Sequence, residues 1–401
     1  MTNPYLNKLQ PYPFEKLRRL LNGVTPPKDM EHISLSIGEP KHAAPAFALQ
    51  SLHDNEDKYG QYPASKGIPE LRQAIAEWLK KRFSLDAVDP ETQIIPLQGT
   101  REGLFAIAQA LIEPKPGTTV VMPNPFYQIY EGAALLAGAE PYFANATRST
   151  NYLADYASVP EHVWQNCQLL YLCTPGNPSG AVIDTDQMWQ LIELADRYNF
   201  TIISDECYSE LYVGDTPPVS ILEVCQRHGR TDYSRCLAFH SLSKRSNLAG
   251  LRSGFVAGDA QLLEQFLLYR TYHGCALPVP SQIASTLTWS DETHVAENRN
   301  AYRLKFAAVA PILAEVMPVR VPEASFFLWL ETPINDEQFC RELFEQQHIT
   351  VLPGSYLARD TARGNPGTNH VRIALVAELD QCVAAAHRIV NFVANAPWKK
   401  K

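Results

Sequence analysis

The chain has 401 residues and only 19% charged side chains, against about 25% in an average soluble protein, so a large buried core is possible without staples. Forty-three acids against 35 bases give a formal net charge of −8, which argues against a nucleic-acid-binding domain with its basic stripe. The start, MTNPYLNKLQPYPFEKL, lacks the basic and apolar stretches of a signal peptide, and no run approaches the ~18 apolar residues of a membrane span, so a cytoplasmic protein is expected.

In chain order, the spacing of apolar residues predicts helices over Pro69–Phe83 and 101–112. Four short apolar runs follow, at 119–122 (TVVM), 169–172 (LLYL), 200–203 (FTII) and 237–239 (LAF), with an amphipathic helix over Thr185–Tyr198. Short apolar runs alternating with helices are the pattern of parallel strands covered on both faces, an α/β architecture. Each run leads into polar, loop-like sequence: PNPFY, CTPGNPSG, SDECY and HSLSK. In open α/β sheets the ligand crevice lies at such carboxyl ends. Beyond about residue 290 come a long helix (292–316), PVRVPEASFFLWLE, a helix over Asp336–Gln347, a strand-like HVRIALV and a last helix, which together predict a smaller α+β unit.

The eight cysteines (Cys167, Cys173, Cys207, Cys225, Cys236, Cys275, Cys340 and Cys382) form no C-x-x-C pair and no metal-ligand spacing. They are expected to be buried thiols in a reducing compartment, with no metal. H-E-x-x-H, G-x-S-x-G, G-x-x-x-x-G-K-[ST] and G-x-G-x-x-G are all absent, which disfavours a zincin, an elbow-type serine hydrolase, a P-loop NTPase and an ordinary dinucleotide fold.

The residues able to do chemistry sit at the predicted strand ends. In FHSLSKRSNLAGLRSGF, Lys244 follows an apolar run among Ser241, Ser243 and Ser246. Partial desolvation would make it a nucleophile, although a lysine is more often a solvated surface residue. Arg252, eight residues on, suits bidentate phosphate binding, and Ser241 adds a hydroxyl. In SDECYSELY, Asp205 directly follows a buried strand and needs a cation to stay ionised; the protonated nitrogen of a pyridine ring is one. Tyr208, three residues later, would reach that ring's oxygen, while the plain alternative for Asp205 is a helix cap. TPGNPSG is a rigid turn whose one ligand-bonding side chain is Asn177, or simply a turn. Gly99 before a helix beginning near Thr100 offers free N–H groups to an anion, as any glycine before a helix does. Tyr127, in NPFYQIY, either stacks on a flat heteroaromatic ring or packs in the core. Arg372, inside the apolar HVRIALV, wants a carboxylate, and none in the sequence is an obvious partner, so a substrate carboxylate is expected.

Together and in this order, these segments resemble the fold-type I, pyridoxal-phosphate-dependent aminotransferases of the aspartate aminotransferase superfamily. The resemblance spans about 33–394 and rests on GEP, Y-x-x-x-x-G-x-x-x-L-R, the N-P-x-G turn, D-x-x-Y, S-x-x-K with an arginine eight residues later, and the late arginine. It implies a large cofactor domain (46–290) with a mostly parallel seven-stranded sheet between helices. A smaller α+β domain (291–401) and an N-terminal arm contributing to it (1–45) complete the expected plan. By resemblance, Lys244 carries pyridoxal 5'-phosphate covalently and, once released by substrate, shuttles the proton between Cα and the cofactor C4′. Asp205 pairs with the ring nitrogen, Tyr208 and Asn177 bond the ring oxygen, and Tyr127 stacks on the ring. Ser241, Arg252 and the N–H groups of Thr100 and Arg101 after Gly99 cradle the phosphate. Arg372 and the backbone at Gly38 take the substrate α-carboxylate. Tyr62 matches a tyrosine that reaches the phosphate of the other subunit, which implies a homodimer with shared active sites. The phosphate loop reads G-T-R where the family often has a small residue or lysine, and backbone donors keep their role there.

LQPYPFEKL, SLSIGEPKH, FHSLSKRSNLAGLRSGFVAGD and NPGTNHVRIALVAE are similar to the succinyldiaminopimelate transaminases of bacterial lysine biosynthesis. That resemblance implies exchange of an amino group between N-succinyl-LL-2,6-diaminopimelate and 2-oxoglutarate. Both reactants carry several carboxylates, so a second cation besides Arg372 is expected, with Lys41 and His42 as candidates. Rivals on the same fold are acetylornithine, aspartate and aromatic aminotransferases and a C–S β-lyase. A pyridoxal-phosphate-binding DNA regulator is disfavoured, because the motifs begin by residue 35 and the chain is acidic.

Overall fold

A computed structural model of the protein describes residues 3–396 and Trp398. Seven strands form its main sheet: β1 (Ile94–Leu97), β2 (Thr119–Asn124), β3 (Glu140–Asn145), β4 (Cys167–Cys173), β5 (Thr201–Asp205), β6 (Cys236–Ser241) and β7 (Gly254–Gly258). Their order is β1-β7-β6-β5-β4-β2-β3. Every pairing is parallel except the two made by β7, which runs against β1 and β6.

Alternation along each strand explains why helices cover both faces. Leu170 and Leu172 of β4 pack in one core with Ile75, Leu79, Ile192 and Trp289. Leu169 and Tyr171 face the opposite core with Leu104, Ile107, Leu263 and Phe266. The predicted runs at 119–122, 169–172 and 237–239 lie within β2, β4 and β6, and the run at 200–203 overlaps β5, which begins one residue later at Thr201.

Helix ends follow local capping chemistry. Pro69 opens its helix and Ser84 closes it with a left-handed φ of 52°. Asp184 and Gln187 make a reciprocal capping box at Thr185–Tyr198. Gly99, at φ 80°, precedes Thr100–Leu111. The long helix Thr293–Leu313 ends three residues short of the predicted 316.

The C-terminal third builds a second core. A three-stranded antiparallel sheet places β10 (His370–Ala374) between β8 (Phe327–Glu331) and β9 (Leu352–Pro353). Phe306, Leu343 and Ile389 from three helices pack with its strands, and Ile33 and Leu35 join the same core from the other end of the chain. The helix Pro13–Leu20 lays Leu17 against Trp329, Leu352 and Leu357. No helix among the described residues is long and apolar enough to cross a membrane.

Candidate active site

The carboxyl ends of β4, β5 and β6 open on a cavity of about 540 Å³. Asp205 is the last residue of β5 and Ser241 the last of β6. Lys244 lies on the one-turn helix Leu242–Arg245 that follows, and Asn177 on the turn after β4. All four line the cavity, with Gly38, Thr100, Arg101, Tyr127, Tyr208, Arg252 and Arg372.

Lys244 Nζ donates to the Gly38 carbonyl at 2.5 Å and sits 5.4 Å from the Phe326 ring centre. Burial lowers its pKa to about 8, so a useful fraction is a free amine near neutral pH. Asp205 is buried in the cavity floor. Its Oδ2 accepts from the Tyr130 hydroxyl at 2.6 Å and its Oδ1 from the Cys207 N–H at 3.3 Å. Burial raises its pKa, and no lysine or arginine among the described residues pairs with it. A carboxylate held by neutral donors is a receptor for a cation brought by a ligand.

Arg372, on β10, is equally buried. One guanidinium nitrogen donates to Asn177 Oδ1 at 3.0 Å and another to the Ser36 carbonyl at 2.8 Å, while Nε has no partner among the described residues. Burial brings its pKa down to about 10. Neutral acceptors leave its charge uncompensated, the condition in which an incoming carboxylate gains most.

An anion cradle lies between these groups and the start of Thr100–Leu111, whose first N–H groups lack intrahelical partners. Arg252, at a left-handed φ of 54°, donates to the Ala249 carbonyl at 2.8 Å. Its guanidinium lies so close to Gly99 that a Cβ there would overlap it. Ser241 Oγ accepts from the Ser243 N–H at 3.1 Å. Tyr127 forms a wall of the cavity and its hydroxyl accepts from Arg101 Nε at 2.7 Å. The buried Tyr208 ring packs on Phe326 and Phe327, and burial pushes its pKa well up. Cradle, amine and lone carboxylate fit a flat aromatic bearing a phosphate at one end and a protonatable ring nitrogen at the other.

Three candidate residues do not line this cavity. Tyr62 is fully solvent-exposed at 104% and touches no part of this cavity within its own chain. Lys41 and His42 do not line the cavity either. His42 turns one ring nitrogen to Asn298 and the other to Lys305, leaving none for a substrate. Sequence reasoning missed Tyr130, whose only cue is its position three residues after Tyr127, and the rim residues Tyr12, Phe14 and Glu39. Glu102, His273 and Cys275 cluster elsewhere with metal-ligand chemistry, but the Glu102 carboxylate is ion-paired with buried Arg270.

The sequence profile of aminotransferase class I and II matches residues 31–389. The crystal structure of an aminotransferase from Neisseria meningitidis is similar at a TM-score of 0.94 and 47% identity, covering 98% of this chain and 100% of that one. A curated LL-diaminopimelate aminotransferase of Aquifex aeolicus is 30% identical over 96% of this chain and 97% of its own. A solved structure described as a probable N-succinyldiaminopimelate aminotransferase, from Thermus thermophilus, has a TM-score of 0.83 and 27% identity, covering 94% of this chain and 98% of that one. Two of these names share the diaminopimelate skeleton, and only one carries the succinyl group.

Proposed function

The chain belongs to the class I and II aminotransferases, a pyridoxal-phosphate-dependent family, and from there we propose that it transfers the amino group of N-succinyl-LL-2,6-diaminopimelate to 2-oxoglutarate. The observation that carries this reading is the charge of the cavity. Four cations, Arg101, Lys244, Arg252 and Arg372, face two acids, Glu39 and Asp205, inside a chain of net charge −8. Such a lining suits a phosphate together with substrates of several carboxylates.

The bound cofactor supplies an electron sink for charge developing at the substrate Cα. In this reading Arg252, Ser241 and the N–H groups of Thr100 and Arg101 hold its phosphate, Tyr127 stacks on its ring, and Asn177 and Tyr208 bond its ring oxygen. Asp205 keeps the ring nitrogen protonated. Lys244 holds the cofactor and then carries the proton to and from Cα. Arg372 and the backbone at Gly38 seat the α-carboxylate. Arg101 is the second cation: Nε is spent on Tyr127, and neither terminal nitrogen has a partner among the described residues. The partner subunit's Tyr62 completes the phosphate site in a homodimer, which accounts for a tyrosine standing clear of its own chain. Sedimentation equilibrium and cofactor affinity of Tyr62→Phe test that arrangement; a monomer with full affinity overturns it.

A second reading is LL-diaminopimelate without the succinyl group, favoured by the name of the Aquifex aeolicus relative. Glutamate formation from 2-oxoglutarate, measured with each donor and with acetylornithine, aspartate and an aromatic amino acid, separates the two. Higher kcat/KM for the succinylated donor is expected. Turnover of the free diamino acid alone selects the second reading, and turnover of neither rejects both.

A further inference from the structure

Lys305 is a lysine that is 2% exposed on a helix that contributes no residue to the cavity lining, a costly place for an ammonium without a role. With Asn298 and Tyr302 it shares one buried face of Thr293–Leu313. Its Nζ lies 2.7 Å from His42 Nε2 and 3.5 Å from the Val376 carbonyl. His42 Nδ1 lies 2.9 Å from Asn298 Oδ1, and Asn298 Nδ2 donates to the carbonyls of Lys244 at 3.1 Å and Arg245 at 3.2 Å.

The direction of this chain is forced. Two carbonyls face one end of the Asn298 amide, so that end is the NH2 and the oxygen faces His42. His42 Nδ1 therefore carries the hydrogen, Nε2 keeps the lone pair, and Lys305 donates to it. Lys244 and Arg245 close a one-turn helix whose last carbonyls have no intrahelical partner, and Asn298 satisfies both. Gly38, which accepts from Lys244 Nζ, is four residues before His42. One short segment thus grips Lys244 at its tip and, through Asn298, at its root.

Because Lys244 carries the cofactor in the reading above, we propose that Lys305, His42 and Asn298 are positioning residues: a one-way donor relay that holds the turn bearing Lys244 and parts at its Lys305–His42 link when His42 takes a second proton on Nε2. Lys305 opposes that proton, the Asn298 acceptor and Glu378 favour it, and the Tyr302 ring packs 4.6 Å from the imidazole. Burial holds His42 and Lys305 below their ordinary pKa values, so the Lys305–His42 link persists through neutral pH and is lost on the acid side.

The test uses holoenzyme. Borohydride reduction and peptide mapping first locate the cofactor; then the absorbance of the bound cofactor is titrated with pH, without substrate, in Asn298→Asp, His42→Phe, His42→Asn and Lys305→Met. With the label on Lys244, Asn298→Asp and His42→Phe are expected to move the titration by about half a pH unit or more. Their kcat falls about tenfold with KM nearly unchanged. His42→Asn, which retains a donor toward Asn298, recovers most of both. Wild-type titrations and kcat in folded variants, or lost thermal stability alone, overturn the relay. If Asn298→Asp does not fold, Lys305→Met decides on the same readouts. A label on another lysine rejects the assignment of Lys244 and the relay with it.

Discussion

The hydroxyl of Tyr130 donates to Asp205 Oδ2 at 2.6 Å, from a ring stacked on Tyr171 with centroids 4.6 Å apart. Asp205 therefore has an aimed neutral donor before any cofactor arrives. A hydrogen bond to a charged group is worth about 1.5–3 kcal/mol. Tyr130→Phe is accordingly expected to weaken cofactor binding about 10- to 100-fold, read by fluorescence titration of apoenzyme. Unchanged affinity would show that the bond serves packing only. Asp205→Ala is expected to lose far more turnover than Asn177→Ala, since only the first removes the charge that faces the ring nitrogen.

Lys244 links stability to pH in a stated direction. Its pKa falls from 10.5 to about 8 on folding, so between those values the unfolded chain holds more protons and apoenzyme stability rises with pH. Below pH 8 the desolvation cost is fully present. Lys244→Met is expected to raise the apoenzyme Tm at pH 7 by about 1–3 °C, to flatten the Tm profile between pH 8 and 10, and to abolish transamination. Differential scanning calorimetry at pH 7 and 10 checks this, and a lower Tm at pH 7 would count against it.

Arg101 is expected to choose acceptors. Arg101→Gln should cut kcat/KM for 2-oxoglutarate about 10- to 100-fold while leaving pyruvate, which lacks the distal carboxylate, within about threefold. Equal losses for both acceptors would place Arg101 at the phosphate instead.

Gly99 is constrained twice, by a φ of 80° and by the Arg252 guanidinium lying where a Cβ would go. Gly99→Ala is expected to cost about 1 kcal/mol or more of stability and to displace Arg252. Affinity of the apoenzyme for inorganic phosphate, measured by calorimetry, should fall about tenfold. A variant that binds phosphate normally would dissociate Arg252 from the cradle.

The fold was legible where local chemistry and hydrophobic period agree. Pro69–Phe83, Thr185–Tyr198 and Asp336–Gln347 match their predicted bounds because a proline, a capping box and an Asn335 cap, respectively, mark their starts. Three strands of the main sheet escaped the pattern. β1 contains Pro96, β3 is a partly exposed edge strand, and β7 begins and ends in glycine. Within the candidate site, groups recognisable by residue type beside a strand end were readable, and the structure gathers Lys244, Asp205, Arg252 and Arg372 around one cavity. Tyr130 and the His42–Asn298 contact were not readable, because their partners lie 75 and 256 residues away. No local rule reports such a distance.

The parts of this cavity differ in how they are built. Asp205 and Ser241 terminate adjacent strands locked in register, whereas Arg101, Glu39, Tyr12 and Phe14 come from a helix start, a loop and the N-terminal segment. What the reaction needs is thus anchored in the frame, and what meets the outer part of a substrate hangs from interchangeable edges. Such a molecule can change its diet without relearning its chemistry: grafting the rim of one relative onto the floor of another should exchange donors while the bound cofactor keeps its spectrum.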